Sequence, residues 1–94
     1  MMLTYQFDPD VIQIQEKANE KDMEFEIQVV NEEALVHELR QIRKWFEAND
    51  VHTDVLFYGY PDRKFKVIVR HDYYVEFVLE LMKHRLLRSV EWKR

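Results

Sequence analysis

Residues 54–70 read DVLFYGYPDRKFKVIVR, two runs of alternating apolar side chains joined across Tyr60-Pro61-Asp62-Arg63. Proline at the second turn position presets φ, and the aspartate that follows suits a turn, so the stretch predicts a β-hairpin with strands over residues 51–60 and 64–70. In the second strand Phe65, Val67 and Val69 are expected to face a core, with Lys64, Lys66 and Arg70 facing water. The first strand holds Gly59, the only glycine of the chain. A glycine within a strand usually marks a bulge or the close approach of another backbone.

A helical pattern flanks the hairpin on each side, and a strand-like run lies beyond each helix. Residues 23–30 (MEFEIQVV) alternate Met23, Phe25, Ile27 and Val29 against Glu24, Glu26 and Gln28. Asn31 then reads as a helix cap, with Glu32 and Glu33 in a first turn where the helix dipole favours them. Leu35, Leu39, Ile42 and Phe46 recur at helical spacing as the buried stripe, and Asn49 suits a left-handed C-terminal cap. Asp72 is expected to cap the second helix, whose negative end carries Lys83, His84 and Arg85. Residues 86–93 supply a last strand with Val90 and Trp92 inward.

This β-α-β-β-α-β order resembles the ferredoxin-like superfold over residues 23–93. The resemblance implies an α+β domain, its antiparallel sheet ordered 4-1-3-2 with two helices on one face. Residues 23–94 would form that domain, and residues 1–22 an N-terminal extension. In that order the acidic face of the first strand lies beside the basic face of the third, a favourable pairing. In the extension, Leu3, Tyr5 and Phe7 alternate as a short strand. Asp8-Pro9 then opens a helix over residues 9–21 with a stripe of Val11, Ile14 and Ala18, although VIQIQ also has the period of a strand. Residues 17–22 are polar enough for a linker.

Composition narrows the function classes. Ninety-four residues suffice for one domain, and the absence of cysteine removes disulfides, thiolate metal sites and cysteine nucleophiles. No apolar run approaches the roughly 18 residues of a membrane span, and no basic segment leads into an apolar one near the start, so a cytoplasmic protein is expected. Residues 1–38 carry 10 acidic and 2 basic side chains, a net of −8, against 8 and 12 in residues 39–94, a net of +4. The split suits two halves that complement each other within the chain, or an anionic partner for the second half.

Nucleic-acid binding is one reading, because the same topology includes the RNA-recognition motif, whose third strand carries a basic-glycine-aromatic pattern. Here Arg63, Phe65 and Ile68 match that pattern, while its glycine and further aromatics are missing. Tyr58, Tyr60, Lys64, Lys66 and Arg70 remain as an edge surface for RNA, with Glu24 and Glu26 opposing phosphate. Glu33 with His37, and Glu80 with His84, are spaced four apart, but each pair points away from its helix's buried stripe, so no metal or other cofactor is expected. One glycine and one serine (Ser89) leave no phosphate loop or nucleophile elbow, and an enzyme would need an acid–base site without a recognisable spacing. The second helix stands out instead. Val75, Val78, Leu79 and Met82 already make a sheet-facing stripe, and Tyr74, Phe77 and Leu81 widen the apolar surface around one flank. That flank packs against the other helix, is covered by the N-terminal segment, or meets another chain; with Trp45 on the side of the first helix, it is expected to dock a protein partner or a second copy, making the chain a non-catalytic interaction module.

Overall fold

The structure is a computed structural model and describes residues 2–48 and 54–94. Its elements are β1 (Met2–Gln6), β2 (Ile12–Ala18), β3 (Asp22–Val29), α1 (Ala34–Glu47), β4 (Val55–Tyr60), β5 (Lys64–Arg70), α2 (Tyr74–Lys83) and β6 (Ser89–Lys93). They make an α+β fold of two sheets: a four-stranded antiparallel sheet ordered β2-β3-β5-β4, and a two-stranded ribbon of β1 and β6. Asn49 and the first residues of the expected 51–60 strand lie outside the described residues.

The centre of the main sheet is the pair β3–β5, with Glu26 directly opposite Lys66 and Lys66 Nζ 3.8 Å from Glu24. Charged residues on one face of adjacent strands offset each other, as the acidic and basic runs suggest. The hairpin β4–β5 turns through Asp62 and Arg63, both left-handed at φ 64° and 62°. Gln28 Nε2 donates to the Asp62 carbonyl at 2.7 Å, and the Val29 amide to the Arg63 carbonyl at 3.0 Å, tying that turn to β3.

Two expectations change. The sheet order is not 4-1-3-2 with the last strand beside residues 23–30, because β6 pairs with β1 and β2 flanks β3. The helix expected over residues 9–21 is a strand. Asp8 does begin a helical turn: its carbonyl accepts the Val11 and Ile12 amides and its carboxylate the Asp10 amide. The turn does not propagate, because a strand buries both Ile12 and Ile14, whereas a helical stripe of Val11, Ile14 and Ala18 leaves Ile12 outside. Asn19 closes the β2–β3 hairpin, its amide donating to the Asp22 carbonyl at 2.8 Å. A short local hairpin costs less loop entropy than returning the end of the chain to the same place.

Inward residues Ile12, Ile14, Phe25, Ile27, Val29, Val55, Val67 and Val69 form the sheet's side of the core. From α1 come Leu35, Val36, Leu39, Ile42 and Phe46. Helix α1 begins at Ala34 without a side-chain cap from Asn31, and α2 begins after a 3₁₀ turn, His71–Tyr73, without one from Asp72. Arg85 closes α2 at φ 68°, its amide on the Met82 carbonyl and the Leu86 amide on the Leu81 carbonyl. This is a Schellman motif, with buried Leu86 packing back toward the helix.

Candidate interaction surface

The α2 flank expected to dock a partner is inside the molecule. Phe77 and Leu81 are 0% exposed, and Tyr74 is half-buried, stacked on Phe25 with ring centroids 5.7 Å apart. Phe77 meets Phe25, Phe46 and Phe57 at 4.7, 6.2 and 6.0 Å. The inward stripe is half-buried Tyr74 with buried Phe77, Val78 and Leu81, while Leu79, expected inside, is 45% exposed. Both sets satisfy the i, i+3, i+4, i+7 spacing, and the one with two aromatic rings removes more area from water. Trp45 stays 43% exposed, edge-on to Phe46 with centroids 4.9 Å apart. With Phe77 and Leu81 fully buried, no exposed patch joins them to it. Trp92 faces the same way as Val90 but is 53% exposed.

Of the two Glu/His pairs, Glu80 and His84 do meet along α2 as their spacing of four suggests, but they are turned toward α1 rather than to water. His84 bridges the helices, with Nδ1 2.8 Å from Glu38 Oε2 and Nε2 3.5 Å from Glu80 Oε2. An imidazolium offers an N–H to each carboxylate, and a neutral ring to one only. His37 instead meets Gln41 on its own helix. Among the described residues no cluster of His, Asp and Glu is arranged to hold a metal ion.

A third polar cluster escaped the sequence. Glu16, on the helix side of β2, accepts the Tyr5 hydroxyl, and accepts the Tyr74 hydroxyl at 3.0 Å, on the same Oε2. Burial, together with the hydrogen bond and charge of Glu16, pushes the Tyr5 phenol well above its ordinary value. Tyr74 moves the same way, through burial first and then Glu16. Both phenols are therefore held as proton donors. They fasten β1 and α2 to β2.

The face of the main sheet away from the helices is open. Direct opposition places Tyr58 beside Lys66 and Tyr60 beside Lys64, so four residues of the expected nucleic-acid surface share a face. Glu26 continues the Tyr58–Lys66 row on the next strand, and Arg70 is drawn off to Asp54 at 3.4 Å.

The strongest departure from ordinary surface chemistry is the edge at β4. The Arg70 amide donates to the Asp54 carbonyl and the Val29 amide to the Arg63 carbonyl, which sets the alternation of hydrogen-bonded pairs. By that alternation Leu56, Tyr58 and Tyr60 bond to β5, and the main-chain groups of Val55, Phe57 and Gly59 point outward. No hydrogen bond from another described residue reaches those outward groups. Natural edges are blunted by charge, proline or a bulge. The other edge strand, β2, carries Glu16 and Lys17, but β4 reads VLFYGY with no charge, and its register with β5 is unbroken. Leu56, Tyr58 and Tyr60 are 40%, 44% and 51% exposed along it.

Gly59 sharpens the point. Its φ is not positive, no bulge occurs there, and a Cβ at that position would meet nothing within 4 Å. Neither of the usual reasons for a strand glycine operates among the described residues. Gly59 borders a groove of about 670 Å³ between β4 and α1, walled by Phe57, Phe65, Val36, His37 and Arg40. The signal in the sequence was the uncharged run VLFYGY itself.

Comparison with protein families, curated proteins and solved structures found no match to this chain.

Proposed function

We propose that this protein is a non-catalytic interaction module that binds an extended polypeptide segment along the free edge of β4. The observation that carries this is the outward row of Val55, Phe57 and Gly59 on an uncharged, unbroken edge strand. An added strand would take its affinity from main-chain hydrogen bonds and its selectivity from alternate side chains. On the open face these would meet Leu56, Tyr58 and Tyr60, which favours apolar or aromatic partners there. On the other face they would enter the space above Gly59. The site thus moves from the α2 flank to the hairpin, while the class of function stays that of an interaction module.

RNA on the open face is the second reading, supported by the opposition of Tyr58 to Lys66 and Tyr60 to Lys64. It is the weaker one. Glu24 and Glu26 lie on the same face, Glu24 holds Lys66, and Asp54 holds Arg70. Salt-sensitive binding of single-stranded RNA would favour it.

Selection of peptides from a displayed random library, followed by amide exchange on the complex, tests the strand-addition reading. Selected peptides should protect Val55, Phe57 and Gly59 and lose binding to Tyr58→Lys, which puts a charge on the edge. Protection confined to any other surface would overturn it.

A further inference from the structure

We infer that the segment added to β4 is β4 of a second copy of this chain, paired antiparallel about a two-fold axis through Tyr58. This rests on the strand-addition reading and names its occupant. A two-fold pairing must match outward residues with outward residues, so Val55, Phe57 and Gly59 face one another in one of a few registers. Centring on Tyr58 sets Phe57 of each copy against Gly59 of the other. A ring laid against a strand glycine fills the space that the missing side chain leaves. That accounts for a glycine for which the described residues of the single chain offer no reason.

The remaining pairs agree. Tyr58 meets its own copy, and Leu56 meets Tyr60, on the open face, where non-hydrogen-bonded pairs bring side chains closest. Pro61, which has no N–H, falls opposite Val55, at the end of the ladder where the loss of a donor costs least. Within the strand no charge is brought against a like charge, because β4 has none; just beyond it the register carries Asp54 toward Asp62 of the other copy, with Arg70 3.4 Å from Asp54 to offset the pair. Helix α1 runs antiparallel to its copy across the same axis. The Glu33 end of one groove wall then approaches the Arg40 and Arg43 end of the other, which is electrostatically complementary. The two main sheets become one continuous sheet with its least protected edge removed.

The absence of cysteine in the chain provides the test. In this register Tyr58 Cα atoms lie about 4.5 Å apart, within disulfide reach, while the two Leu56 positions are offset by roughly 13 Å. The unmodified protein should show twice the 11.7 kDa mass of one chain by light scattering. Tyr58→Cys should oxidise to a linked dimer. Leu56→Cys and Tyr60→Cys should each stay unlinked alone and link when mixed. A mass of one chain with no link in any variant overturns the proposal, as does linking of Leu56→Cys to itself without linking of Tyr58→Cys. If selected peptides still protect Val55, Phe57 and Gly59 on such a monomer, strand addition stands and the occupant is another protein. If none do, both fall together.

Discussion

Ile12 stands directly opposite Val29 in the antiparallel ladder of β2 on β3, and both side chains are buried. That ladder occupies one flank of β3 from Ile12↔Val29 to Ala18↔Met23. The last strand then has its partner in β1, through Leu3↔Trp92 and Tyr5↔Val90. The main sheet is left with β2 and β4 as edges. Only β2 of the two carries charge, so β4 is the edge without charged side chains to blunt it.

The Tyr5–Glu16–Tyr74 cluster predicts an alkaline limit to stability. Both phenols titrate above their ordinary value of 10.0 in the fold. A raised folded pKa means that the stabilisation is complete below about pH 10 and is lost as pH rises beyond it, when the unfolded chain releases protons first. Chemical denaturation should therefore give a flat profile for this pair up to about pH 10 and a decline above it. The Tyr5→Phe/Tyr74→Phe double variant should be less stable at neutral pH and decline less steeply in alkali.

Arg85 predicts a gain. It holds the left-handed position of the Schellman motif that ends α2, where an L side chain costs energy that glycine does not. Arg85→Gly should raise unfolding free energy by about 0.5–1 kcal/mol in urea titration. A loss of that size would show that the Arg85 side chain contributes more than its backbone costs.

Phe77 predicts a large loss. It is fully buried among Phe25, Phe46 and Phe57, so Phe77→Ala removes a ring and leaves a cavity. The expected cost is about 3–5 kcal/mol in equilibrium denaturation. A variant of unchanged stability that has only lost a partner would instead restore Phe77 to the surface.

The parts of the fold legible in the sequence are those with a single consistent period. Residues 64–70 alternate cleanly, with a proline-aspartate turn before them, and Leu35, Leu39, Ile42 and Phe46 admit only a helix. The β2 segment is different, because Asp8-Pro9 begins a helical turn while Ile12 and Ile14 alternate as a strand. Burial of both isoleucines decides between them, and that depends on β3 being adjacent. In α2 seven of ten positions are apolar, wide enough that periodicity leaves the phase open by about one residue. The placement of Phe77 inside follows from the rings of Phe25 and Phe46 around it, and Leu81, one turn on, is buried with it. At the candidate site, Gly59 and the charge-free strand were visible, but their meaning required the sheet order. Without it β4 could not be identified as an edge.

Amide hydrogen exchange at low and high protein concentration tests the central claim most directly, with the β2 edge as internal control. Pairing of β4 with a second copy predicts that exchange at Phe57 and Gly59 slows as concentration rises, and Val55 with them, whereas strand addition by another protein predicts the same slowing only when a selected peptide is added. Ile14 and Glu16, whose main-chain groups also point outward by the same alternation, should exchange equally fast throughout. Rapid exchange at Val55, Phe57 and Gly59 at every concentration, unchanged by selected peptides, would contradict β4 as the docking strand.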